Sequence, residues 1–285
     1  MIEISSQKDS RYAYREILQG YSHIEEENFY IKHFKESDLG FVDTVYKKCI
    51  DSCKKKGLLS REEKLTLYKK EDLIDENLFE EKIQLEYAVK EGFDFARGLS
   101  KKQSEEFLEN NVLPKEKRLR ELEKEIKELI EPVSESLCNK KLNEEYVYHS
   151  LYKDKQLSNP FLSRSEFEDL SFVEVNELVE KYNYYSSKFT EININVIAVN
   201  SFFLNTFFMS DDDPVKFYGK NVLDLTMYQL NLFSRGKFYK SVLMEGKEPP
   251  EKYYSEDAEK GLIKLVQWYE TAYGQIRNER ERSRR

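Results

Sequence analysis

Ten glycines and six prolines are spread over 285 residues, and this scarcity constrains the fold more than any other feature. A sheet-built chain reverses direction every few residues and uses Gly and Pro to do it. A chain this poor in both is expected to be helical. Charge agrees: charged residues make up 35% and hydrophobic residues 39%, a high and a slightly low share for a compact globule. Helices with one narrow apolar stripe and charge elsewhere reconcile the two. The 20 Tyr and 18 Phe argue against wholesale disorder, because disordered chains are poor in aromatics. The expected fold is all-α, a multi-helix bundle with a short coiled-coil-like helical arm and no sizeable sheet.

The pattern along the chain places the elements. Residues 1–35 carry Tyr12, Tyr14, Tyr21, Phe29, Tyr30 and Phe34 without a sustained period, and read as an extended N-terminal arm that docks elsewhere. Val42, Val45, Tyr46, Cys49, Ile50 and Cys53 then mark one face of a helix, with Ser37 placed to cap its start and Gly57 its end. Ser60-Arg61-Glu62-Glu63 is a capping-box sequence, and a third helical stretch runs from Glu76 to Arg97. In residues 115–131 and just beyond, Leu119, Leu122, Ile126, Leu129 and Val133 form a heptad stripe between Glu and Lys, ended by Pro132. It fits a short antiparallel or intermolecular coiled-coil arm, and equally one amphipathic surface helix.

Ser158-Asn159-Pro160, with Ser163, Ser165 and Ser171 after it, is the expected domain boundary. The division is then an arm over 1–35, a helical domain over 36–157 and a C-terminal helical domain over 158–285. A Tyr-rich helix is expected over 172–188. The most apolar segment, 190–210, alternates Ile192, Ile194 and Val196 with Asn as a strand would, but Ala198, Val199, Phe202, Phe203 and Phe207 suit a buried helix better. Asp211-Asp212-Asp213-Pro214 reads as a capped helix start, closed by Gly219. Asp224-Leu225-Thr226 opens a helix to Gly236, and a further turn ends at Gly246. The last helix starts near Ser255, with Leu262, Leu265, Val266, Tyr269, Tyr273 and Ile276 as its stripe.

Signals for chemistry are sparse. GxxxxGK[ST], GxGxxG, HExxH and GxSxG do not occur. His23 and His33 fall in the irregular arm, a poor setting for a base that must be held in place. Cys49 and Cys53 lie one helical turn apart, and with no nearby His to join them they read as small buried apolar residues. The expectation is no catalytic residue, no metal and no cofactor. The best enzyme alternative is a Mg-dependent site on Asp211, Asp213 and Asp224, against which helix capping explains the acidic cluster. A net charge of −8 disfavours nucleic acid and anionic membranes as partners. The exception is the Arg-rich end, RNERERSRR, an alternative nucleic-acid contact. No secretory leader or membrane-length apolar run is read.

The run from Asn195 to Leu243 has a Phe-rich segment, Asp-Asp-x-Pro, Phe217-Tyr218-Gly219-Lys220 and Leu225-Thr226-Met227-Tyr228-Gln229. Together with the lead-in EEYVYHSLYKDKQLSNP, these residues resemble a group of poorly characterised virion structural or tail-assembly proteins of tailed bacteriophages, mainly over 145–243. The resemblance implies a non-enzymatic virion component or tail-assembly chaperone, in the virion or the host-cell cytoplasm. Its partners would be other phage structural or assembly proteins, or further copies of itself. Aromatic-rich helical faces suit such partners. The candidate contact residues are Phe217, Tyr218, Lys220, Tyr228, Gln229, Phe238 and Tyr239, for each of which, taken singly, core packing is the stronger reading.

Overall fold

The computed structural model describes all residues except 1, 3, 5, 97, 100, 252, 254–257, 284 and 285. The chain is mostly helical, as its Gly and Pro content implies, with one small sheet. It forms two compact units, residues 1–42 with 143–285, and residues 43–142.

The expected extended arm is instead a helix followed by a hairpin. Helix α1 (Gln7–Gln19) starts where the Ser6 hydroxyl accepts the Asp9 amide and stops at Gly20, whose φ of 81° suits glycine. It buries Ser10, Ala13 and Ile17, a stripe so thin and so mixed in polarity that the aromatics around it obscure the period. Strands β1 (Tyr21–Ile24) and β2 (Phe29–Lys32) pair antiparallel, Tyr21 opposite Lys32 and Ile24 opposite Phe29. A 3-10 turn over Glu36–Gly40, rather than a helix capped by Ser37, leads into α2 (Phe41–Lys55).

The second unit holds most of α2, then α3 (Arg61–Lys70), α4 (Glu76–Ala96), α5 (Lys101–Phe107), α6 (Leu113–Ile130) and the start of α7 (Ser134–Ser150). Gly57, at φ 75°, lies just past the end of α2, and Ser60 and Glu63 make the expected capping box for α3. Arg118 pairs with Glu81 while Gly92 abuts Val112. Rising numbers on α4 thus meet falling numbers on α6, so the two helices form an antiparallel pair within one chain. Leu122, Ile126, Ile130 and Val133 are buried with Ile74, whereas Leu129, placed in the stripe by a heptad, is exposed. Within α6 the buried positions Leu122, Ile126 and Ile130 are spaced four and four, rather than the three and four of a strict seven-residue repeat.

The first unit resumes within α7 and adds β3 (Leu151–Tyr152), which pairs with β2, then α8 (Arg164–Glu168) and α9 (Phe172–Ser186). The break at 158–160 falls inside this unit. The units divide at 42/43 and 142/143 because the elements that bury the apolar surface of 143–285 include the first 42 residues.

The 190–210 segment is helical, broken in two as α10 (Glu191–Ala198) and α11 (Ser201–Phe208). Thr190 caps α10, and Asn200, at extended φ and ψ, precedes α11. Helix α10 packs against α1, α13 (Met227–Met244) and α14 (Ala258–Ser283), with α12 (Pro214–Tyr218) leading to α13. All of Asn193–Ala198 is buried. The start of α14 near Ser255 lies outside the described residues. Gly236 does not end a helix. It sits inside α13 because an added Cβ would come within 2.7 Å of the Phe207 ring, so glycine permits the close approach of α11.

Candidate functional site

The segment 209–244 carries the candidate contact residues, and its local structure follows from its caps. Asp213 caps α12 by accepting the Val215 amide at 2.8 Å, and Gly219 closes it at φ 69°. Asp211 pairs with Lys216 at 2.7 Å and Asp212 with Lys240 at 3.0 Å. Asp224 meets Lys35 at 3.4 Å. The Lys216 ammonium holds the Asp211 carboxyl below its usual range. These acids are committed to lysines and a cap, and they do not converge on one point. Near the C-terminus, Arg280 pairs with Glu245, and Lys247 with Glu279 at 3.4 Å, while 284–285 lie outside the described residues. The Arg-rich end is thus partly neutralised where it can be described.

Of the seven candidate residues, Lys220 alone is exposed. Phe217 lies against Phe203, Phe207 and Phe233, with centroids 5.6, 5.5 and 6.2 Å away. Tyr218 donates its hydroxyl to the Gln229 carbonyl at 3.0 Å, and burial pushes its phenol up. Gln229 is fully buried and works as a clamp. Its amide donates to the Ile17 and Leu18 carbonyls at 2.9 and 3.1 Å, capping the end of α1, and its Oε1 accepts the Thr226 amide at 2.9 Å. Phe238 stacks on Tyr273, and Tyr239 is buried against Tyr269 at 4.6 Å. For Phe217, Tyr218, Gln229, Phe238 and Tyr239 the aromatic and amide chemistry serves the core.

Tyr228 lines a cavity of about 180 Å³ together with His33, Ser22, Tyr182, Ser186 and Phe189. Its ring lies 4.6 Å from Phe189 and 5.0 Å from His33. His33, read as part of an irregular arm, is 3% exposed. Burial, with the nearby Lys188 charge, lowers its pKa to about 3, so the ring is neutral. Its Nε2 is 3.0 Å from the Ser22 hydroxyl, which donates to Glu16 at 3.2 Å, and Lys188 closes the network on Glu16 at 2.9 Å. Since the serine proton goes to Glu16, Nε2–H donates to Ser22, leaving Nδ1 as an acceptor with no partner among the described residues. This is not a nucleophilic triad, in which the carboxylate orients the outer nitrogen of the histidine rather than holding the serine. So weak a base is also badly matched to proton abstraction near neutral pH.

Among the charged residues that segment 209–227 exposes stand five apolar ones. Leu223 is 84% exposed, Met209 82%, Val222 50% and Val215 49%, and Met227 is also exposed. The 3-10 turn Val222–Asp224 presents the Val222–Leu223 pair, while Leu225 and Thr226 behind it are buried. Sequence reasoning missed these residues because it ranked contact candidates by aromaticity. No sequence signal separates an outward Leu223 from an inward Leu225 across two residues of irregular turn.

Among the described residues, the donors close enough to share one ion are the thiols of Cys49, Cys53 and Cys138. Among the described residues, no helix is long and apolar enough to cross a membrane. Fold and site together define a helical protein with a large aromatic core and an exposed apolar edge. Compared with known families, curated proteins and solved structures, the chain finds no match.

Proposed function

We propose that this chain works by binding other proteins, as a virion structural component or a tail-assembly chaperone of a tailed bacteriophage. The observation that carries the reading is the exposed apolar edge Met209, Val215, Val222, Leu223 and Met227. It lies inside the stretch whose sequence resembles such phage proteins. Adjacent exposed apolar side chains such as Val222 and Leu223, on a turn backed by the buried Leu225, are what a contact site offers. A component that waits for its partner exposes such a surface, and assembly covers it. The contact set therefore moves from Phe217, Tyr218 and Gln229 to Leu223 and its neighbours, with Lys220 at the rim.

The Mg-dependent alternative loses support because Asp211, Asp212 and Asp224 are paired with lysines and Asp213 is a cap. The nucleic-acid alternative loses support from the acidic balance and from the Arg280–Glu245 pair.

The test is a Val222→Ser, Leu223→Glu double variant, compared with wild type by light scattering and by co-purification from infected host cells. Both substitutions are at exposed positions, so stability should change by less than about 0.5 kcal/mol. The expected result is a folded variant that loses its oligomer or co-purifying virion proteins. A folded variant with unchanged mass and unchanged partners would refute the assignment of this edge.

A further inference from the structure

Cys138 is distant in sequence from Cys49 and Cys53, yet the three Sγ atoms all lie within 4.8 Å of one another, and Cys53 and Cys138 are 3.9 Å apart. Helix α2 supplies Cys49 and Cys53 one turn apart, on one face. Helix α7 supplies Cys138. Cys53 and Cys138 are buried and Cys49 is half-buried, so the cluster is closed on one side and approachable from the other.

We propose that Cys49, Cys53 and Cys138 form a binding site for one thiophilic d10 cation, zinc in the first instance, held by three thiolates.

The spacing supports this. With a Zn–S distance of about 2.3 Å, tetrahedral thiolates lie about 3.8 Å apart and trigonal ones about 4.0 Å apart. The Cys53–Cys138 separation falls between these values, so Cys49 needs only a small adjustment, well within its side-chain freedom, to complete the set. Soft thiolates select zinc or copper(I) over magnesium or calcium. Tyr46 stands one turn before Cys49 on α2, and Glu135 one turn before Cys138 on α7. Glu135 is itself held by the Arg61 amide at 2.9 Å.

On binding, three S–H bonds break, their protons pass to solvent, and three metal–sulfur bonds form with no change of oxidation state. Because α2 and α7 are distant in sequence, the ion would cross-link the second unit and stabilise it.

The test uses the full-length chain, reduced and metal-free, titrated with Cd²⁺ and followed by thiolate-to-metal absorption in the ultraviolet. Zn²⁺ competition and intact-mass measurement accompany it. The expected result is a break at one Cd²⁺ per chain, with Cd²⁺ displacing Zn²⁺ one for one from the zinc-loaded chain, as thiolates prefer the softer cation. Zn²⁺ should also protect all three cysteines together from alkylation. Cys138→Ser, shown to be folded by circular dichroism, should weaken binding at least tenfold. If that variant does not fold, Cys49→Ser, at the half-buried position, takes its place. A reduced, folded wild type that gives no absorption change at one equivalent overturns the proposal. So does binding that survives the cysteine variants unchanged.

Discussion

Gln229 offers a sharp contrast between a core role and a contact role. The perturbation is Gln229→Met, which keeps the volume and removes the amide. Three hydrogen bonds go, two donated to the Ile17 and Leu18 carbonyls and one accepted from the Thr226 amide. Their loss is not uniform. The Ile17 carbonyl keeps the Gly20 amide at 3.2 Å, and the Leu18 carbonyl is only part-buried. The Thr226 amide, in a residue 4% exposed, is left stranded. A net hydrogen bond is worth about 1 kcal/mol, and a stranded buried group costs about 1–3 kcal/mol. The sum is a loss of about 3 kcal/mol, with little cavity term because the volume is conserved. Urea unfolding followed by Trp268 fluorescence reads this directly, since Trp268 packs on the same core. A loss below about 0.5 kcal/mol at unchanged m-value would refute the clamp. If partner binding failed at the same time, Gln229 would be a contact residue after all.

Two further outcomes follow from the same core. Gly236→Ala should gain about 1 kcal/mol of helix propensity, but its Cβ would meet the Phe207 ring at 2.7 Å. That ring is held by Phe203, Phe217 and Phe233, so overpacking of about 1–3 kcal/mol wins; the urea midpoint should fall, and a rise would show that the ring can move. His33, lowered from an ordinary value of 6.5 to about 3 by burial, binds its proton more weakly when folded. Its contribution is complete above pH 6.5 and is lost as pH falls from there towards 3, at about 1.4 kcal/mol per unit. The stability difference between wild type and His33→Gln should therefore shrink by about 2–3 kcal/mol between pH 7 and 4.5, and parallel pH profiles would refute it.

Much of the helical architecture could be read before any coordinates, because its signals are local. The Ser60–Glu63 capping box, the Asp213 cap with Pro214 and the glycine stops at 57 and 219 each need only a few neighbouring residues, and each stands as read. What could not be read is non-local. Helix α1 carries a thin stripe of Ser10, Ala13 and Ile17, which becomes a core face only because α10 and α13 lie against it. The same holds for Gly236, which looks like a stop in sequence and acts as a notch for Phe207. The three cysteines looked like two small apolar residues and a stray third, because the packing that unites them joins helices far apart in the chain.

The contact residues show why composition misleads about surfaces. A Tyr- and Phe-rich segment has two uses, a dry core or a partner's pocket, and both reward large rings at low entropic cost. The sequence marks the segment as aromatic without saying which use applies to which ring. In the fold Phe203, Phe207, Phe217 and Phe233 pack against one another, while Val215, Val222 and Leu223 are exposed. That division of labour predicts different failures for the two sets. Phe217→Ala should strip ring packing from the core and cost about 3 kcal/mol or more of stability. Leu223→Glu should leave unfolding unchanged and act on association alone. A protein in which both substitutions affect only association would have its aromatic cluster at an interface, and the inward packing of Phe217 would then be wrong.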